Sequence, residues 1–259
     1  SLQKIQMEIS PVLSGYNDEI LLNPKLFERI KSVYDNQANF NLSPEQKFIL
    51  ENLYKRFVRN GANLNKQDQD TLKMLNQKLS VLTVKFGQNV LAETNNYKMY
   101  VSKEDLTGLP VSVISTSAET AKASGQEGKW AFTTQRPSIF PFMTYSTNRK
   151  LRDQIFTAYT NRGNNNNEYD NNKILAEIVK LRADRAKLLG YKTHSHIILE
   201  PRMAKVPENV FNLLDNLWGK AIPVAKNEVK EMQKIIDREG GKFQLEPSDW
   251  WFYAETLRK

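Results

Sequence analysis

Apolar residues recur every three or four positions over much of the chain, which is the spacing of one face of an α-helix. The longest run includes Leu72 and Val90 and predicts one apolar seam along a helix of about 28 residues, roughly 40 Å at the helical rise. We expect this seam to pack within the molecule, while a coiled-coil dimer is the alternative. A second run predicts a helix from Asn172 to Leu189, where Gly190 can adopt the left-handed conformation that ends many helices.

Further helices are indicated by the residue types that begin and end them. Ser43 and Gln46 have the spacing of a capping box, and Asn23 precedes a proline that suits a first helical turn. Leu2 to Leu13 is predicted as the end of a helix, and the last long helix should kink at Pro223, where a hydrogen bond is lost. Other helix starts are predicted at Asn65, Pro110, Thr147, Thr193, Pro207 and Ser248.

The middle of the chain has a different pattern, in which apolar and polar residues alternate. Tyr97 to Val101 and Trp130 to Thr133 each have the spacing of a short strand. We expect Pro137 and Pro141 to keep the segment after the second strand irregular. The predicted fold class is mainly α: antiparallel helical hairpins and long helices with a small two- to three-stranded β insert.

Length and composition set outer limits on the kind of protein. The chain has 259 residues, of which 40% are hydrophobic and 25% are charged, as in an ordinary globular protein. It contains no apolar run of the roughly 18 residues that a membrane span requires, and no signal peptide opens it. Since the first residue is Ser1 and Lys259 falls inside an unfinished helix, we expect a piece of a longer protein. The lack of cysteine leaves both cytoplasm and periplasm open.

The net charge of +8 raises the question of nucleic-acid binding. The basic residues are interleaved with acidic ones along the predicted helices, and the densest basic group, Arg149, Lys150 and Arg152, is short. A solvated helix face is therefore the favoured interpretation. A basic, non-enzymatic helical module that binds acidic partners or nucleic acid is the alternative function.

Candidate chemistry is sparse. The two histidines, His194 and His196, are two positions apart and would point about 200° apart on a helix, so they cannot chelate one zinc ion from a common helix face. One packed and one exposed histidine is the favoured interpretation. The chain has neither a nucleophile elbow nor a phosphate-binding loop. The aromatic run after Asp249 is interpreted as helix packing rather than a platform for bases, and Asn164 to Asn167 as a mobile surface loop. We propose no catalytic, cofactor-binding or metal-binding residue.

Long strings of the sequence resemble one enzyme family. They are RGNNNNEYDN (162–171), LRADRAKLLGYKTHSHIILEPRMAKVPENV (181–210), EPSDWWFYAETLRK (246–259) and, upstream, FVRNGANL (57–64) and the segment 128–163. These strings resemble the thimet-oligopeptidase-like family of zinc metallopeptidases, and in particular its peptidyl-dipeptidase branch. The resemblance extends over nearly the whole chain.

The resemblance implies a fold and an activity for a longer parent protein. It implies a helical, clam-shaped fold in which two lobes enclose a channel. Zinc would lie on an H-E-x-x-H helix downstream of the part that this chain matches. The resemblance also implies release of C-terminal dipeptides from short peptides, with no nucleic acid or membrane as partner. Residues 1–259 would then be an incomplete part of one domain, with hairpins in 1–94, the β insert in 95–145 and long helices in 146–259. We expect zinc in the parent protein but not in this chain, which alone should be inactive. The asparagine loop would lie at the channel edge.

Overall fold

The computed structural model describes residues 1–258 and is mainly α-helical. Within this range it has eleven α-helices and one two-stranded sheet, which confirms the predicted fold class. The elements are α1 (Leu2–Leu21), α2 (Pro24–Asp35), α3 (Pro44–Arg59), α4 (Lys66–Asn96), β1 (Met99–Val101), α5 (Val111–Ala123), β2 (Trp130–Phe132), α6 (Arg136–Tyr145), α7 (Arg149–Thr160), α8 (Asn172–Leu188), α9 (His194–Leu199), α10 (Pro207–Arg238) and α11 (Trp250–Arg258). None of the described helices is both long and apolar enough to cross a membrane.

The chain forms two compact units, each built from two separate stretches of sequence. The first unit contains Ser1–Gln88 and Asn172–Asn212, and the second contains Asn89–Asn171 and the chain from Leu213 onward. The three-part division expected from the sequence stays a prediction.

The first unit contains α1 and most of α4, whose side chains are linked by hydrogen bonds at both ends of α1. Asn76 donates to the carboxylate of Asp18 at 2.8 Å, and Gln88 donates to the Gln3 carbonyl at 3.0 Å, so the two helices run antiparallel. On α4, Leu72 and Leu75 of the predicted seam are buried, which agrees with packing within the molecule. The α2–α3 pair encloses a small core of Leu21, Phe27 and Phe57.

The predicted caps of α2 and α3 are confirmed. Asn23 accepts a hydrogen bond from the Leu26 amide at 3.1 Å, and Ser43 and Gln46 form a reciprocal capping box. The extent of α1 was predicted wrongly, because the helix continues beyond Leu13 to Leu21. Its last turn buries Leu21, and this burial outweighs the intrinsic helix-breaking tendency of the small residues in the middle.

The second unit has its core under the small sheet. The strands β1 and β2 pair antiparallel, with Met99 opposite Phe132 and Val101 opposite Trp130. This pairing agrees with the small β insert predicted from the sequence. The core is formed by Met99, Val101, Leu106, Leu109, Phe132, Ile139, Phe142, Met143 and Ile155. A smaller cluster in the same unit joins the end of α10 to α11 through Met232, Ile235, Ile236 and Tyr253.

The segment after β2 is helical, which corrects the expectation that its two prolines keep it irregular. Pro137 occupies the first turn of α6, where its missing amide is not needed, while Pro141 lies inside the helix and removes one hydrogen bond. Ile139, Phe142 and Met143 are almost completely buried. Their burial stabilises the helix by more than the single lost hydrogen bond costs.

Two predicted caps are wrong by one or two residues. The side chain of Asn148, rather than Thr147, caps α7 by accepting from the Leu151 amide at 3.3 Å, whereas Thr147 donates to the Thr107 carbonyl. Ser248 does not cap the aromatic helix. Instead, a 3-10 turn precedes α11, and the carboxylate of Asp249 accepts from the Glu246 amide at 3.1 Å.

The connection from α8 to α10 follows the prediction closely. Gly190 has a positive φ of 78° after α8, α9 covers the predicted short helix, and Pro207 begins α10. Thr193, however, makes no side-chain cap, since its hydroxyl is bonded to the ring of His196 at 2.8 Å. The helix α10 continues through Pro223 to Arg238 without a break.

Candidate functional site

A polar cavity of about 530 Å³ lies among α1, α4, α8 and α9 of the first unit. Charged and hydrogen-bonding groups from all four helices line it: Asp18, Asn76, Arg182, Arg185 and His194. These five side chains together supply one carboxylate, one amide, two guanidinium groups and one imidazole to the cavity wall.

Three of these side chains form a hydrogen-bonded chain across the cavity wall. Arg185 donates from Nε to the side-chain oxygen of Asn76 at 2.9 Å, and Asn76 donates from its amide to Asp18 Oδ1 at 2.8 Å. Asn76 thus fixes the positions of a cation and an anion that do not bond each other directly. The second carboxylate oxygen of Asp18, Oδ2, is buried and has no hydrogen-bond partner in the described chain.

The pKa values of the two charged groups in this hydrogen-bonded series, Asp18 and Arg185, are shifted by their surroundings. Burial raises the pKa of Asp18 above its usual value, and the Asn76 hydrogen bond and the nearby cations Lys73 and Arg185 oppose this only in part. Burial also lowers the pKa of Arg185, against the attraction of Asp18. Both shifts show that the ionised forms lack the solvation that bulk water would give them.

The histidines occupy different surroundings. Burial, with the positive charges of Arg182 and Arg185, lowers the pKa of His194, which favours its neutral imidazole. The Nδ1 atom of His194 is buried without a partner, whereas His196 is bonded to Thr193. Both side chains are half-buried, so the expected contrast of one packed and one exposed histidine is wrong.

Residues 1–258 contain no group of three histidine, cysteine or acidic side chains arranged to hold a metal ion. The described residues therefore do not fit the zinc that the resemblance implies. The cavity can instead accept a polar organic group, because it offers hydrogen-bond donors and acceptors of both charges within one space.

The asparagine loop of the second unit is anchored by a buried acidic residue. The carboxylate of Glu93, on α4, accepts from the amide of Gly163 and from the side chains of Asn165 and Asn167, the latter two at 2.9 and 2.7 Å. Burial acts to raise the pKa of Glu93, but these hydrogen bonds outweigh it and hold the pKa below its usual value. This anchoring argues against the interpretation of a freely mobile loop.

A second buried carboxylate in the same unit is held by two arginines. Asp249 has no exposed surface and pairs with Arg152 and with Arg149, each at 2.9 Å. Arg152 also donates to the Ser146 carbonyl at 2.8 Å and lies 4.3 Å from the centre of the Phe252 ring. Despite burial, these hydrogen bonds hold the pKa of Asp249 below its usual value. The group ties α7 to the start of α11.

The aromatic helix after this pair is used for packing. Trp251 lies 5.9 Å from the Phe140 ring and 6.1 Å from the Phe156 ring, measured between centroids. Its contacts agree with the favoured interpretation of this run as helix packing rather than base stacking.

No local sequence pattern predicted the contacts of the buried charged residues. Asp18 and Asn76 are 58 positions apart, and Asn76 and Arg185 are 109 apart. One usable signal exists for the second unit. Arg152 lies three positions before the buried Ile155, so it occupies the core face of α7, where an unpaired charge would be costly.

The chain has detectable relatives among peptidases. Residues 142–259 match the model described as peptidase family M3. The chain is 30% identical over its whole length to dipeptidyl carboxypeptidase from Escherichia coli K12, of which it spans 38%. It is 32% identical over 254 residues, 96% of the chain, to oligopeptidase A from Haemophilus influenzae, of which it spans 37%. Saccharolysin from Saccharomyces cerevisiae is 30% identical over 227 residues, 86% of the chain and 31% of that protein.

The resemblance to this peptidase family is confirmed. Relatives with two different names, dipeptidyl carboxypeptidase and oligopeptidase A, match nearly the whole of this chain at similar identity, and the family M3 model matches residues 142–259. The range matched by the family M3 model includes the pair of Arg152 and Asp249, whereas Asp18 lies outside it. The chain spans little more than a third of the length of the two bacterial relatives.

Proposed function

We propose that this chain is one helical part of a zinc-dependent peptidase that releases dipeptides from the carboxyl ends of short peptides. The observation that carries this proposal is similarity along the full chain to family M3 peptidases of which the chain spans only 37–38%. Because the described residues do not fit zinc, the proposal places the metal ligands in sequence outside this chain. The role left for this part is to form a wall of the substrate channel.

An uncovered helix face supports a larger assembly. Every residue of α10 from Phe211 to Ala221 is exposed, although Leu214, Leu217 and Trp218 share one apolar face at helical spacing. The exposed fraction of Trp218 reaches 68%. A contiguous apolar face of this kind is normally covered by other protein, and the proposal assigns that cover to the remainder of the peptidase.

The reading frame that encodes this chain provides the first test. We expect an in-frame H-E-x-x-H sequence downstream, because zinc peptidases of this type hold the metal with two histidines one helical turn apart and use the glutamate as base. A complete frame that lacks this motif would overturn the peptidase assignment.

The purified chain provides the second test. We expect less than about a tenth of a zinc ion per chain by elemental analysis, and no dipeptide release from blocked short peptides, because a zinc site needs at least three protein ligands. The zinc-loaded parent protein serves as the positive control in the same assay. Stoichiometric zinc in the isolated chain would contradict the assignment of the metal to another part.

The alternative of a nucleic-acid-binding module gains no support from the structure. Several lysines on the helix surfaces are paired with acidic residues one turn away, as in Lys31 with Asp35 and Lys66 with Asp70. Such pairing breaks up the continuous basic surface that phosphate binding needs. Binding to generic duplex DNA that falls steeply with added salt would revive the alternative.

A further inference from the structure

We propose that the polar cavity of the first unit binds a small zwitterion, a free amino acid or a dipeptide, with its ammonium group on Asp18 and its carboxylate on Arg182 and Arg185. The inference rests on the geometry of this cavity and not on the proposed peptidase function.

Asp18 has a carboxylate oxygen that an ammonium group could complete. Its side chain is 4% exposed and lines the cavity, yet only Oδ1 is hydrogen-bonded. A buried carboxylate oxygen without a donor is costly, and native structures rarely leave one unless another group completes it. An ammonium group supplies both the positive charge and the hydrogen-bond donors that Oδ2 lacks.

The two arginines of the cavity suit the carboxylate of the same ligand. Arg182 and Arg185 lie one helical turn apart on α8 and line the same cavity as Asp18. Arg185 uses Nε to hold Asn76, and a guanidinium group carries two further nitrogens that suit a carboxylate. With two cations against one anion, the cavity carries an excess positive charge that a bare metal cation would increase and a ligand carboxylate would offset.

Size and lining fit the same class of ligand. A volume of about 530 Å³ lies in the range of small-molecule sites and exceeds what one ordered water molecule fills. Ser14 and Thr83 add hydroxyl groups to the wall, and Leu79 and Ile198 add a small apolar area against which a ligand side chain can pack. The mixture favours a polar molecule with a short side chain over a hydrocarbon.

Calorimetric titration of the purified protein tests the proposal with four probes. Alanine and alanylalanine carry both charges, acetate carries only the carboxylate, and methylamine carries only the ammonium group. We expect at least one zwitterion to bind roughly tenfold or more tightly than either single-charge probe, since it makes two charge-assisted contacts. A preference for alanine identifies the ligand as a free amino acid, and a preference for alanylalanine identifies a peptide. Equal affinity of acetate and the zwitterions, or no binding at 10 mM (about the weakest affinity such a site could use), overturns the proposal.

Two substitutions test the separate contacts. Asp18→Asn keeps the size and the oxygen that Asn76 needs, so we expect zwitterion affinity to fall by about tenfold or more while acetate affinity does not fall. Arg182→Gln should weaken both the zwitterion and acetate. Lys180→Gln, on the same helix but outside the cavity, is the matched control and should change neither. Zwitterion affinity that survives Asp18→Asn overturns the assignment. If this variant fails to fold, the comparison of the zwitterions with acetate and methylamine in the unmodified protein still decides the question.

Discussion

The two units each bury an aspartate, and the two aspartates are treated in opposite ways. Asp249 pairs with Arg149 and Arg152, so that its pKa lies below the usual value although the side chain has no exposed surface. Asp18 has one neutral amide as its hydrogen-bond partner, and burial raises its pKa. Burial alone therefore does not decide the charge state of a carboxylate, and the partners do.

The difference separates a structural group from one suited to binding. Both oxygens of Asp249 are bonded to arginines, and the same arginines lie over the rings of Phe243 and Phe252. This arrangement leaves no capacity for a ligand. Asp18 retains an unbonded oxygen beside a cavity, so its interactions are incomplete in the chain alone. Substitution should therefore harm folding at Asp249 and ligand binding at Asp18.

Asp249→Asn should give the largest loss of stability. The change leaves Arg152, which is 1% exposed, without its compensating charge, and breaking a buried pair in this way costs about 3–5 kcal/mol. Urea unfolding followed by circular dichroism measures the free energy of unfolding. Asp215→Asn, an exposed site on α10, is the control and should stay within about 0.5 kcal/mol of the unmodified protein. A loss below about 1 kcal/mol at Asp249 would show that the pair contributes little and that the contrast with Asp18 is false.

The same pair predicts a direction for the effect of pH. Because the folded pKa of Asp249 is lowered, its contribution to stability is present above the unfolded pKa, near 3.8, and is lost as pH falls through the folded value. In Asp249→Asn this acid-dependent loss should be absent from the unfolding curves. An unchanged acid limb in the variant would exclude Asp249 as its source.

Glu93→Gln should have an intermediate effect, because Glu93 is buried like the two aspartates but has several neutral donors. One oxygen of the carboxylate becomes an amide that cannot accept from Gly163 or the asparagines, which should cost roughly 1–3 kcal/mol. Hydrogen exchange of the Gly163 amide should become faster. Glu119→Gln, at an exposed site on α5, should leave that exchange rate unchanged. Slow exchange in the Glu93 variant would mean that the backbone holds the loop unaided.

The comparison also shows which features the sequence could predict. The caps of α2 and α3 and the ends of α8 were found because they depend on residues within four positions of each other. The helix α6 was missed because local proline chemistry was outweighed by the burial of its apolar residues, which only the tertiary structure reveals. The partners of Asp249 lie 97 and 100 positions away, and no local pattern encodes a contact over that distance. The cavity was missed for the same reason.

Asp18→Asn should have the smallest effect on stability. At neutral pH this effect should be opposite in sign to the destabilisation expected for Asp249→Asn. A carboxyl group whose folded pKa is raised contributes most below its unfolded pKa, near 3.8, and this contribution falls as pH rises through the folded value. Asparagine cannot ionise, so at neutral pH the variant should equal the unmodified protein or exceed its stability by up to about 1 kcal/mol. Urea unfolding at pH 4 and pH 7 measures the change, with the exposed Glu19→Gln as the matched control at pH 7. A loss of more than about 2 kcal/mol at pH 7 would place Asp18 beside Asp249 as a structural charge, because only a well-compensated carboxylate costs that much to remove.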